Sequence, residues 1–231
     1  MTTHLLFDFF GTLVDHSSQR RDPGYPRTRA ALDRLGLAMT GEELAASWEE
    51  TWFPFEERSQ VDHREFSMID VGTVFLRSLL GREPDPAVTR ELMDVYIGEW
   101  DSGVTYLDGL GDWLSELSHD YRLAIVSNVH EAHLVPSHLE KMGLKNRFDA
   151  VILSVEVGWR KPHPEIYATA LKTLGAQADQ AVFVGDTHAA DFLGPERAGI
   201  KSFLIDPHDR AGVPAGRRLD TVFDLSTRLQ L

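Results

Sequence analysis

The sequence contains no cysteine. That absence excludes disulfides, thiolate metal sites and a cysteine nucleophile. Basic residues are in deficit too: 23 Lys and Arg stand against 36 Asp and Glu, a formal net charge of −13, and no Lys/Arg run suggests a basic groove. A phosphate backbone is therefore disfavoured as a partner, and no nucleic-acid binding is expected. An anionic small-molecule substrate requires local cationic help, from a metal ion or a few placed Lys and Arg. Long apolar runs are also missing. None approaches the ~18 residues of a membrane span, and no basic segment followed by a signal-like apolar core precedes the first strand. No membrane association and a cytoplasmic location are expected. Internal repeats and low-complexity tracts are absent.

What is present is the makeup of an ordinary globular protein, 42% hydrophobic and 26% charged over 231 residues. This suffices for one large domain, or a domain carrying a smaller insertion. A monomer or homodimer is expected. In the opening stretch HLLFDFFGTLVD, Leu5, Leu6 and Phe7 read as a buried strand that Asp8 ends, before Gly11-Thr12 turns the chain. A carboxylate at the exit of a buried strand is costly unless a cation or hydrogen-bond donors hold it.

Residues 15 to about 103 form a helical block. After the polar patch DHSSQRRDPGYPR come TGEELAASWEETWF, REFSMIDVGTVFLRSLLG and DPAVTRELMDVYIGEW. Thr40 with Glu43 three residues on is a capping-box pattern. From residue 104 helices and strands alternate. GLGDWLSELSHDY reads as a helix, RLAIVSN as a strand, and EAHLVPSHLEKMGL as a helix that Pro136 should kink or interrupt. DAVILS, AVFVGD and KSFLID are strands, with HPEIYATALKTLG and ADFLGPERAGI as helices between them. The tail beyond shows no clear element. This alternation indicates an α/β fold with parallel βαβ units and a sheet covered on both faces.

In an open parallel sheet ligands bind at the carboxyl ends of the strands. Asp8, Ser127-Asn128 and Asp186 each end a strand, so distant parts of the chain converge on one edge. Asp8 and Asp186 offer oxygen ligands to a hard divalent cation, and Asp191 can return to them from the first turn of the next helix. Any one of these aspartates is as well explained as a helix or turn cap; three at matching positions favour the metal. Ser127 and Asn128 bring a hydroxyl, an amide and backbone N–H groups suited to a phosphoryl oxygen or another anion, although Ser-Asn is also an ordinary turn pair. Thr12, in the turn after Asp8, joins Asn128 as a candidate substrate-binding residue. Lys161 precedes Pro162 and Pro164, which fix the start of the next helix.

DFFGTL, IVSN, the lysine of RKPHPEIY and VFVGDTHAAD together resemble the four ordered motifs of the haloacid dehalogenase superfamily. The resemblance covers residues 1–14 and roughly 104–205, and the helical insert resembles the family's first-type cap. It implies a Rossmann-like core of residues 1–14 and 104–231 with a cap domain at 15–103. It also implies an Asp8 nucleophile forming a covalent intermediate, with Ser127 and Lys161 holding the transferred group. Mg²⁺ would be bound by Asp8, the carbonyl of Phe10 and Asp186, with Asp191 in support.

One position departs from the pattern. The family's phosphatases carry a second aspartate two places after the nucleophile, which protonates the leaving group and activates water; here it is Phe10, which can do neither. The haloacid dehalogenases proper carry an aromatic residue there and no metal, but their fourth motif lacks the GD pair that VFVGDTHAAD keeps. Loss of acid–base help is worth roughly 10²–10⁴-fold, which slows phosphoryl transfer without forbidding it. His130 and His188 follow strand ends and could supply the proton, although surface solvation is the more usual role for such histidines. Among Arg20, Arg21, Arg27 and Arg29, one could reach a substrate anion. Trp48, Trp52, Phe53 and Phe55 are either pocket walls or internal contacts of the insert. The expected function is a Mg²⁺-dependent hydrolase acting through Asp8 on a small organic phosphate. The alternatives are a metal-independent 2-haloacid dehalogenase and a crippled homologue that binds without turnover.

Overall fold

A computed structural model describes residues 1–17 and 24–229. The first apolar run forms β1 (His4–Phe7), with every residue buried. The chain continues through the short β2 (Val14–His16) into α1 (Pro26–Arg34), α2 (Gly41–Asp62), α3 (Met68–Leu80) and α4 (Pro86–Trp100). It returns by β3 (Val104–Tyr106) to α5 (Leu110–Leu117), β4 (Arg122–Ser127), α6 (Leu134–Lys141), β5 (Ala150–Leu153) and α7 (Ser154–Val157). Next come α8 (Pro164–Leu174), β6 (Ala181–Gly185), a π-helical turn (His188–Leu193) and α9 (Gly194–Arg197). The chain closes with β7 (Lys201–Ile205), β8 (Arg218–Leu219) and α10 (Leu225–Leu229). Two compact units result: Met1–Asp15 with Tyr106–Leu231, and His16–Thr105.

The first unit is an α/β, Rossmann-like fold around a six-stranded sheet in the order β5-β4-β1-β6-β7-β8, every pairing parallel. The chain builds outward from β1 through β4 to β5, then crosses to β6 on the other side of β1. That reversal makes the carboxyl end of β1 the topological switch point, where such sheets open a crevice. Side-chain alternation divides the core between the two faces. Leu6, Ala124, Val126 and Phe183 cluster with Ile166, Tyr167, Ala170 and Leu174 of α8. Phe7 instead meets Trp113 of α5 edge-on, with ring centroids 5.9 Å apart. Burial on both faces explains why the strands read as continuous apolar runs.

The helical unit is held by caps and aromatic contacts. Thr40 and Glu43 form the expected capping box, with Thr40 N–H donating to Glu43 Oε2 at 2.8 Å and Glu43 N–H to Thr40 Oγ1 at 3.1 Å. α2 runs on through Pro54 to Asp62. Trp52 and Phe55, on either side of that proline, both pack on the Phe66 ring, at 5.1 and 5.3 Å. Tertiary contacts thus sustain the helix across the missing donor. Two other expectations need correction. Pro136 neither kinks nor interrupts α6, because the helix starts at Leu134 and the proline falls in the first turn, where amides need no intrahelical acceptor. The stretch ADFLGPERAGI is not one α-helix but the π turn followed by α9. Among the described residues no helix is long and apolar enough to cross a membrane.

The start of α1 has no side-chain cap of its own. Buried Glu99 of α4 takes that place, accepting from Arg27 N–H and Thr28 N–H at 2.7 Å each and from Thr28 Oγ1 at 2.5 Å. A carboxylate at a helix N-terminus satisfies orphan amides and the helix dipole together. Glu99→Ala leaves the buried Thr28 donors and the part-buried Arg27 N–H without an acceptor and is expected to destabilise the protein by roughly 2–3 kcal/mol, with Glu99→Gln costing less. Urea unfolding midpoints of the three proteins check this ordering.

Candidate functional site

All residues of the site belong to the sheet unit, and strand register brings them together. Phe7 of β1 pairs with Ile125 of β4 on one side and Val184 of β6 on the other. Asp8 N–H makes one further ladder bond, to Val184 O at 2.9 Å. One step past that bond the sheet ends, leaving Asp8, Ser127 and Asp186 at the same edge. Asp8 is 7% exposed, and its Oδ1 accepts from Ser127 Oγ at 3.1 Å and Lys161 Nζ at 2.8 Å. The same ammonium donates to Asp191 Oδ1 at 2.7 Å. Among the described residues no hydrogen bond reaches Asp8 Oδ2.

Lys161 is itself pinned by Asn128. Lys161 N–H donates to Asn128 Oδ1 at 2.8 Å, and Asn128 Nδ2 donates to Lys161 O at 3.0 Å. The Asn128 side chain, a candidate substrate contact, is engaged with the lysine's backbone through both its Oδ1 and its Nδ2. It links the exit of β4 to the loop before α8. Thr12 is 2% exposed, and its hydroxyl has no hydrogen-bond partner among the described residues. Phe10 is half-buried, its ring edge-on to Phe9 at 5.0 Å and to His138 at 6.0 Å.

Two glycines exist to let two aspartates in. Gly11 has φ of +80°, and a Cβ there would lie 2.3 Å from Asp186 Oδ2. A Cβ on Gly185 would lie 2.4 Å from Asp191 Cβ. Any side chain at either position would displace a carboxylate. Asp186 lies against the Gly11 turn, while Asp191 Oδ2 accepts from Thr187 N–H at 2.9 Å. Carboxylate oxygens of Asp8, Asp186 and Asp191 all lie within 4.8 Å of one another.

Lys161 pairs with only two of the three carboxylates, and the pKa values of Asp186 and Asp191 show the imbalance. Burial, with the Asp8 charge, pushes Asp191 up to about 7, against the pull of Lys161. Crowding by protein, although one face stays open to solvent, and then the Asp8 charge push Asp186 up to about 6. Burial pulls the Lys161 ammonium down, but Asp191 and Asp8 outweigh it, so its pKa is raised. The donor set and its excess negative charge fit a hard divalent cation, which binds oxygen ligands of this kind. Asp8, Asp186 and Asp191 would hold it.

The remaining candidates divide. His188 stacks on Phe192, centroids 5.8 Å apart, and His130 is half-buried after β4. In the helical unit Arg29 Nε is bonded to Gly24 O at 2.7 Å, and Arg27 lines an open surface depression with Arg90 and Asp94. Arg20 and Arg21 lie outside the described residues. Trp48 packs on Phe75 and Tyr96, whereas Phe53 is 61% exposed. Neither Thr187 nor Tyr167 carries a local signal as a supporting residue, because Thr187 acts through its own backbone N–H and Tyr167 through a carbonyl 23 residues away, and both depend on the fold.

Comparison with known proteins follows these lines. The pattern of the family described as haloacid dehalogenase-like hydrolase matches residues 49–205. The human haloacid dehalogenase-like hydrolase domain-containing protein 3 is 36% identical over 115 residues, 47% of this chain and 45% of the human one. That match thus spans less than half the length of the human relative. The glyceraldehyde 3-phosphate phosphatase of Methanopyrus kandleri is 26% identical over 209 residues, covering 89% of this chain and 84% of that one. In solved structure, 2-haloacid dehalogenase from Pseudomonas syringae pv. Tomato DC3000 superimposes with TM-score 0.72 at 20% identity, covering 100% of this chain and 99% of the other. That likeness is one of fold.

The raised carboxylate pKa values set a sign for stability. Between the ordinary value of 3.8 and about 6, Asp186 binds more proton folded than unfolded, so its contribution to stability falls as pH rises through that window. In metal-free protein Asp186→Asn is expected to be more stable than wild type at pH 7.5. The difference should shrink as pH falls from about 6 toward 4. Paired thermal melts in a chelator across that range check it.

Proposed function

This chain belongs to the haloacid dehalogenase-like hydrolase family, and from that premise we propose that it is a Mg²⁺-dependent phosphatase of small organic phosphates with Asp8 as nucleophile. The observation that carries this reading is the cluster itself. Three carboxylates within 4.8 Å face one compensating ammonium, an arrangement that calls for a divalent cation and is wasteful without one. Bound Mg²⁺ supplies positive charge that offsets the carboxylates and attracts the anionic oxygens of a phosphate.

The chain's own groups do the rest. Lys161 and Ser127 fix Asp8 through Oδ1 and leave Oδ2 directed to the reaction. An oxygen of Asp8 attacks phosphorus, forming the Asp8–phosphorus bond as the ester oxygen departs with its electron pair. Water then attacks the aspartyl phosphate, releasing inorganic phosphate and restoring the carboxylate. Lys161, held by Asn128, stays close enough to balance charge on the transferred group. The Phe10 carbonyl is assigned to the metal, and Thr12 with the backbone around Asn128 to substrate. His16–Thr105 is assigned the part of a cap domain that selects substrate.

Phe10 shapes the substrate class. With no carboxyl at that position the departing oxygen receives no proton from it, so leaving groups of low pKa, as in acyl or enol phosphates, lose least. The Methanopyrus relative is named for a small sugar phosphate, in keeping with a small organic phosphate here. The aromatic residue at position 10 also favours a second reading, a metal-independent 2-haloacid dehalogenase, because halide leaves without a proton. The carboxylates of Asp186 and Asp191 weigh against it, since a free Asp8 carboxylate attacking carbon needs no such neighbours.

A panel of phosphate esters and 2-haloacids, with Mg²⁺ and with EDTA, separates the two. Phosphate release that requires Mg²⁺ is the expected result, and halide release in EDTA would establish the dehalogenase. On the best phosphate substrate Asp8→Asn should lower kcat at least ~10³-fold while the thermal melt stays cooperative, because a near-isosteric amide cannot attack. Wild-type turnover in that variant would contradict the mechanism.

A further inference from the structure

Asp191 is carried by a π-helical turn, and such turns, with i→i+5 bonding, are uncommon and concentrate at functional sites. The turn leaves one carbonyl stranded. Gly194 N–H donates to Ala189 O, so it is already used. The next amide in that register, five residues after Ala190, belongs to residue 195, which is proline and has no N–H. Ala190 O therefore has no donor at either i+4 or i+5. The buried Tyr167 hydroxyl, reaching across from α8, donates to it.

The position of that bond matters. Ala190 C=O and Asp191 N–H belong to one peptide plane. Tyr167 holds the carbonyl end, and Thr187 O accepts from Asp191 N–H at 2.7 Å. With both ends of the plane held, the backbone from which the Asp191 side chain reaches Lys161 Nζ is held as well. Neighbouring residues are shaped for the contact. Gly194 has no Cβ, and one built there would lie 2.1 Å from the Tyr167 hydroxyl oxygen. Burial raises the phenol's pKa, so it stays a donor throughout the working pH range.

We propose that the Tyr167 hydroxyl is a positioning group for Asp191 and thereby sets how tightly the carboxylate cluster holds a divalent cation. The proposal rests on the metal-dependent reading above. Outer-shell groups that orient metal ligands contribute roughly 10–100-fold to affinity, and Tyr167→Phe removes only the oxygen. A backbone N–H at position 195 would supply the donor that proline withholds, so Pro195→Ala should compensate for the lost hydroxyl.

The test is Mg²⁺ titration of metal-free protein by calorimetry, with thermal melts to confirm folding. Tyr167→Phe should raise the Mg²⁺ Kd by roughly 10–100-fold. Tyr167→Phe/Pro195→Ala should recover most of the affinity, a rescue that a general packing defect would not show. Gly194→Ala, which drives a methyl into the hydroxyl, should weaken Mg²⁺ binding as Tyr167→Phe does, and it serves as the second variant if that one fails to fold. A Kd for Tyr167→Phe or Gly194→Ala within about twofold of wild type would overturn the proposal while leaving the metal reading intact. No rescue in the double variant would overturn it too. Wild type that binds no Mg²⁺ would overturn the metal reading, and this proposal with it.

Discussion

One buried ammonium holds the working end of this sheet together. Lys161 Nζ lies 2.8 Å from Asp8 Oδ1 and 2.7 Å from Asp191 Oδ1, with all three side chains nearly closed to solvent. Buried charges lose hydration, so each is tolerable only through its partners. The lysine has two, and the third carboxylate, Asp186, has no comparable cation beside it. The site is thus built with negative charge in surplus. That surplus is a poor device for stability and a good one for attracting a divalent cation, and the chain's chemistry follows from it.

Several parts of the structure serve the same lysine. Asn128 bonds both backbone groups of Lys161, which ties the exit of β4 to the loop before α8. Ser127, next to Asn128, reaches Asp8 from that same strand end. Gly11 and Gly185 provide the space in which Asp186 and Asp191 approach. Two residues after Asp8, the Phe10 ring packs edge-on to Phe9 and His138. On the proposed reading, Asp8 is a nucleophile held by one ammonium and one hydroxyl, with no acid at position 10 for the leaving group.

Much of this was readable before folding because strand ends carry their own signals. The run Leu5–Phe7 followed by Asp8, and AVFVG followed by Asp186, each set an uncompensated carboxylate against an apolar core, which is improbable without a purpose. Parallel order then places those ends side by side. Other features had no local signature. β8 is two residues long and exists only because it pairs with Leu204 and Ile205. Pro136 looked disruptive, since its effect depends on where α6 begins. The π turn hides in a stretch whose composition suits an ordinary helix. Asn128 was visible as a polar residue at a strand end, but its partner is 33 residues away, so its side chain's role was not.

The central claim is that the negative surplus at Asp8, Asp186 and Asp191 is completed by a divalent cation. The most direct measurement is an anomalous-difference map from crystals grown with Mn²⁺, which substitutes for Mg²⁺ at oxygen sites and scatters anomalously. The account predicts a single strong peak between the Asp8 and Asp186 carboxylates, about 2.0–2.3 Å from an oxygen of each. Crystals saturated with Mn²⁺ that show no peak there, with Lys161 alone neutralising the carboxylates, would contradict it.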